Sequence, residues 1–151
     1  MQELDGRLRS TKWFNQEWTI ECRHVPAGNR VIFILSKDKW CNGAIHFKTR
    51  LTNTDLAKGC VRVGLHVETN QIEHGINRIV FDRFFLAESG ELIQSWPGYI
   101  VKPAHHQKPF HTWIEFTTDT LVSGLEEEFE RVRSLDISID KAIEASRRGN
   151  G

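Results

Sequence analysis

The sequence is short of cysteine and proline, has no surplus of charge and carries no long apolar run, and each shortage excludes something. Twenty Lys and Arg against twenty Asp and Glu leave a formal net charge of zero, so no global field gathers the phosphates of a duplex or an anionic membrane surface. The longest apolar run, residues 31–35, falls far short of the roughly 20 residues that cross a bilayer. Residues 1–7 carry Glu3 and Asp5 where an export signal carries bases. The expectation is a cytoplasmic protein with no membrane partner. Cys22, Cys41 and Cys60 are odd in number and form no C-x-x-C pair, which reads as reduced thiols. No G-x-G-x-x-G or Walker loop follows a strand pattern, and no β-α-β rhythm, internal repeat or low-complexity segment occurs. Dinucleotide and P-loop readings therefore fall away.

What remains is 151 residues with 39% apolar and 26% charged side chains. A single domain of this size buries about two thirds of its unfolded surface and folds without staples. Period-two alternation runs from residue 18 to 118 and period 3.6 follows, so the chain divides into an N-terminal segment (1–17), an antiparallel sheet (18–118) and a C-terminal helical segment (119–149). Residues 18–23 alternate, 26–29 turn, and 30–36 return as a second strand whose unbroken apolar run suggests cover on both faces. In 44–51, Ile45, Phe47 and Leu51 point inward and His46, Lys48 and Arg50 outward. In 61–68, Val61, Val63, Leu65 and Val67 oppose Arg62, His66 and Glu68.

The link 52–59 has room for one helical turn between Thr54 and Gly59. Residues 78–87 read as a strand whose alternation slips at 82–85, as a bulge would make it do, and Gly90 closes a hairpin onto 92–96. Three of the four prolines fall in 97–109, a long surface loop, before a last strand at 110–117. Leu121, Leu125, Phe129 and Val132 then recur as one buried helical stripe, and a second helix runs from about residue 139 to 148. The fold class expected is α+β: a strongly curved, mostly antiparallel sheet or partly open barrel of about seven strands, with C-terminal helices on its core face.

Several constellations could carry chemistry. His105, His106 and His111 precede Glu115, and imidazole with carboxylate suits zinc. Pro103 and Pro109 forbid the helix that would align such ligands, and solvated loop histidines are the simpler reading of His105 and His106. Each cysteine also precedes a histidine, but Cys60 and His66 lie about 20 Å apart by strand rise and cannot share an ion.

The zero total charge hides an asymmetry. Residues 21–62 hold eight bases against three acids, and 115–144 hold nine acids against three bases. His46, Lys48, Arg50, Arg62 and His66 share an outward face, with Trp40 nearby, and Trp113 stands on the non-core side of its strand with His111 and Glu115. That face needs cover from the N-terminal segment, a ligand or a second subunit.

Three functions compete. The first is a non-catalytic binding module, expected to be a homodimer, that holds a protein partner or small polar ligand on the exposed sheet face or barrel mouth through Trp113, His46, Lys48, Arg50, Arg62 and His66. The second is a small hydrolase or isomerase with His111 as general base and Glu115 orienting it, assisted by a metal at His105 and His106; the i,i+4 spacing separates His111 from Glu115 by about 13 Å along a strand. The third is a single-stranded nucleic-acid binder using Lys48, Arg50 and Arg62, although no paired aromatics of the RNP type occupy these strands.

Overall fold

Alternation, caps and turns in the sequence translate into six strands and six helices in the computed structural model, which describes residues 1–103 and 106–149. Helix α1 (Gln2–Arg9) opens the chain. It buries only Leu4 and Leu8, one turn apart, and is braced by ion pairs from Arg7 to Glu3 and from Arg9 to Asp5 at i,i+4 spacing. Strands β1 (Trp18–Val25) and β2 (Arg30–Lys37) form the expected hairpin around Asn29 and Gly28, both at positive φ. Strand β3 (Ile45–Leu51) leads into helix α2 (Asn53–Lys58), where Thr52 and Asp55 form a capping box and Gly59 ends the helix in the left-handed conformation. Strand β4 (Cys60–Val67) follows, then the single turn α3 (Gln71–His74) and the long helix α4 (Arg78–Ser95). Strands β5 (Tyr99–Val101) and β6 (Phe110–Glu115) precede helices α5 (Leu121–Arg133) and α6 (Asp136–Gly149).

The strands form one antiparallel sheet in the order β1-β2-β3-β4-β6-β5. This bears out an antiparallel α+β fold: the described residues give six strands where about seven were expected, in a sheet that is not closed, so of the two expected forms the partly open barrel is not seen. The missing strand is the largest correction. Residues 78–95, expected as a bulged strand and a hairpin, are one helix capped by Asn77, whose Oδ1 accepts from the Ile79 and Val80 amides. Phe81, Phe85, Ser89 and Ile93 are buried at four-residue spacing, while Ile79, Phe84 and Leu92 are exposed. Apolar side chains on both sides of the helix blur its period. Within the expected loop at 97–109, residues 99–101 form a short edge strand.

All helices but α2 and α3 build one layer against one face of the sheet: α5 lies on β3 and β4, α1 packs on α5 and β1, and α4 packs on α6 and β5. Phe33, Leu35, Phe47, Val61, Val63, Leu65 and Val67 meet Leu125, Phe129 and Val132 in a single core. A chain of edge-on aromatic contacts links Trp13, Trp18, Trp40 and Phe47 along it. Lys37 is buried at this end, its ammonium 4.6 Å from the Trp18 ring centroid and paired with Asp136 at 3.1 Å and Glu17 at 3.6 Å. The opposite face of the sheet carries no helix layer, and the candidate site lies there.

Candidate functional site on the helix-free sheet face

Period-two geometry decides which side chains share the open face, and strand register decides which of them meet. In register, Glu21, Ile34, Lys48, Gly64, His111 and Ile100 form one row across the sheet. Arg62 faces Trp113 across β4 and β6 on one side of that row, and His46 faces His66 across β3 and β4 on the other. Gly64 is the hinge of the arrangement. A Cβ built there would lie 2.6 Å from the Phe110 carbonyl oxygen and 3.0 Å from the His111 Cβ, so only glycine allows β4 and β6 to approach this closely.

On the same face lies a hollow, a cavity of about 180 Å³ lined by Lys48, Arg50, Asp55, Arg62, His66, Lys108 and Trp113. Five of the six residues expected to bind a ligand, Lys48, Arg50, Arg62, His66 and Trp113, therefore line one concavity, and His46 adjoins it by stacking on His66 with ring centroids 5.6 Å apart. Lys108 is the residue that strand patterning misses. It comes from the loop before β6, which the Gln107 carbonyl fastens to the sheet by accepting from the Val67 amide at 2.8 Å. A loop residue has no period to betray it.

The electrostatics are one-sided. Lys48, Arg50, Arg62 and Lys108 contribute four cations, and among the described residues no carboxylate lies within ion-pair distance of any of them. Asp55 is the one acid in the lining, and its Oδ2 is already engaged by the Thr52 amide and hydroxyl at 2.8 and 2.7 Å. Burial and then the neighbouring arginines hold the Lys48 and Lys108 ammonium groups below their usual pKa, with Glu68 opposing. The His66 imidazole is pushed down to about 2, by burial first and by Lys48 next, and stays neutral at physiological pH. Burial also lowers His46 and His111. Arg62 holds its guanidinium 5.6 Å from the Trp113 ring centroid, and Trp113 is 49% exposed, so an aromatic surface stands open beside the cations.

The remaining expected residues fall elsewhere. His111 lies under the edge of Trp113, with ring centroids 6.4 Å apart, whereas Glu115 is exposed at the end of β6 opposite Cys60. No hydrogen bond or ion pair joins His111 to Glu115 among the described residues, in keeping with their separation along the strand. His106 is exposed, and His105 lies outside the described residues.

The metal-ligating side chains that do converge are His46, His66 and Glu68, whose candidate donor atoms all lie within 4.8 Å of one another. Sequence reading placed all three on the outward face, but the pairing of His46 with His66 depends on the β3–β4 register, which no local pattern reveals. Compared with family models, curated proteins and solved structures, the chain matches none, so its function is argued from the site alone.

Proposed function

We propose that the protein is a binding module that takes a small phosphorylated ligand on the helix-free face of its sheet. The observation that carries this reading is the gathering of four cations around one hollow with, among the described residues, no carboxylate within ion-pair distance of any of them. Like charges gathered in one concavity repel each other, a cost without return in the unliganded protein. An oxyanion in the hollow converts each repulsion into a charge-assisted hydrogen bond, and Arg50 and Arg62 offer the planar fork that suits phosphate.

The cavity is smaller than the roughly 300 Å³ at which drug-sized sites begin. It suits a phosphate group, with the rest of the ligand lying outside over Trp113. A flat ring next to the phosphate would stack there and use the Arg62–Trp113 pair. This takes the small-polar-ligand branch of the binding expectation; it requires neither a second subunit nor a particular cellular compartment.

Titration calorimetry with pyrophosphate and with a nucleoside diphosphate tests it. Both are expected to bind at low salt, the nucleotide more tightly, with affinity reduced about tenfold or more in Arg62→Ala and Lys48→Ala. The stacking advantage of the nucleotide disappears in Trp113→Ala. Absence of binding by either compound at low salt contradicts the proposal. Tight binding of a single-stranded oligonucleotide with a steep salt dependence, and no binding of the diphosphates, replaces it with a nucleic-acid function.

A further inference from the structure

Beside the cationic hollow lies an arrangement that the phosphate reading does not use. His46 and His66 are direct cross-strand partners, and their rings stack with an interplanar angle of 20°. His46 is 3% exposed. Its Nδ1 lies 2.8 Å from the Gly43 carbonyl oxygen, and because a carbonyl only accepts, Nδ1 carries the proton and Nε2 carries the lone pair. That Nε2 is buried and has no hydrogen-bond partner. An acceptor fixed in one tautomer, shielded from water and left unpaired is costly to a fold unless something binds it.

The carbonyl that fixes the tautomer is itself held in an unusual turn. Cys41, Asn42 and Gly43 adopt φ of 56°, 54° and 82°, three left-handed residues in succession, two of them paying the steric penalty of a Cβ. The turn is pinned at its start by Trp40, whose indole N–H donates to Asp140 at 2.7 Å, and on its far side the Ala44 carbonyl accepts from the Glu68 amide at 2.8 Å. The strained turn thus aims the Gly43 carbonyl at His46, and the same segment anchors the backbone of Glu68. A histidine whose second nitrogen is held by a backbone carbonyl is the outer-shell arrangement of metal-ligating imidazoles.

We propose that His46, His66 and Glu68 form a binding site for a divalent transition metal ion, with zinc the best match to two imidazoles and a carboxylate. Ligand atoms around a four-coordinate zinc sit about 2.0–2.2 Å from the ion, so donors within 4.8 Å of one another must draw in by a rotation. Glu68 can contribute to it: its side chain is 44% exposed and its Oε1 lies 4.0 Å from the His66 Nδ1. Three protein ligands leave one coordination position for a water or an oxyanion. Lys48 and Arg62 repel a cation here and Glu68 offsets only part of that, so the binding is of moderate strength and is reinforced when an anion occupies the neighbouring hollow.

The test uses the metal-free full chain in phosphate-free buffer, so that its outcome is independent of the phosphate reading. Zinc is titrated in competition with a chromogenic chelator, and cobalt is then substituted to read coordination from its visible absorption. One equivalent of zinc and intense four-coordinate cobalt bands without thiolate charge transfer are expected. His46→Ala should weaken binding by at least a hundredfold, and Glu68→Gln by at least tenfold. Because Glu68 is exposed, its substitution leaves the thermal melt of the metal-free chain unchanged and decides the matter should His46→Ala fail to fold. His24→Ala, at an exposed histidine outside the cluster, should change nothing. Wild-type affinity no higher than that of Glu68→Gln, or loss of binding in His24→Ala, overturns the proposal.

Discussion

Lys37 and Lys48 stand on opposite faces of the same sheet, and the protein treats them differently. Lys37, on the helix-covered face, is 3% exposed and is met by two carboxylates and two indole rings. Lys48, half-buried on the open face, has no carboxylate within ion-pair distance and shares its cavity with three more cations. The tryptophans divide the same way: Trp40 is fully buried with its N–H donated to Asp140, while Trp113 lies half exposed beside Arg62. Where a charge serves the fold, the fold supplies its counter-charge. Where cations collect without one, the proposal is that a bound anion supplies the counter-charge.

A buried carboxyl sets the limit of that contrast and gives the largest expected pH-dependent effect. Asp82 on α4 is fully buried, with neither carboxylate oxygen hydrogen-bonded, and burial raises its pKa from 3.8 to about 7 despite Arg78 nearby. The folded chain therefore holds a proton that the unfolded chain releases near pH 4. Asp82 favours folding fully below pH 4, and its contribution is lost as pH rises to about 7, above which the curve is flat. Asp82→Asn should be more stable than wild type at pH 8 by at most about 4 kcal/mol, with the gap closing as pH falls toward 4. Urea unfolding of the two proteins across this range reads the difference directly; a gap that does not depend on pH would show that the Asp82 carboxyl is solvated in the folded state.

The next effect belongs to Lys37. Lys37→Ala leaves Asp136 and Glu17 without their cation and removes both ring contacts, and should cost about 3 kcal/mol in urea unfolding. A loss of only a few tenths would mean that the covered face does not depend on its internal pairing. The smallest effect is at Trp113. Trp113→Ala should cost about 1 kcal/mol or less, because half the side chain is already in water, whereas Trp40→Ala should cost about 3–5 kcal/mol. Equal losses at the two positions would remove the distinction between a core tryptophan and a solvent-facing one.

The open face was legible because β3, β4 and β6 obey a period of two, so His46, Lys48, Arg50, Arg62, His66 and Trp113 could be assigned to one side before any coordinates were known. Three things were not legible, each for a physical reason. Helix α4 exposes Ile79, Phe84 and Leu92 as well as burying Phe81, Phe85 and Ile93, which erases the one-sided stripe by which helices are recognised. Helix α1 buries two leucines only, too few to set a period. The histidine pair depends on which residue of β3 faces which residue of β4, and register is fixed by the whole sheet rather than by local sequence. Adjacency in sequence points to His105 and His106 for metal ligation, whereas the side chains that converge among the described residues are His46 on β3, His66 on β4 and Glu68 just after it.

Urea unfolding of wild type and of the double variant Lys48→Ala/Arg62→Ala, each with and without pyrophosphate, tests the central claim most directly. The two proteins should be equally stable without pyrophosphate to within about 0.5 kcal/mol, or the variant slightly more stable, since removing unpaired like charges costs the fold nothing. At a hundredfold excess over the dissociation constant, wild type should gain about 2.7 kcal/mol and the variant nothing. A double variant about 2 kcal/mol less stable than wild type in the absence of anion, together with no response of wild type to pyrophosphate, would show that these cations serve the fold and would contradict the account.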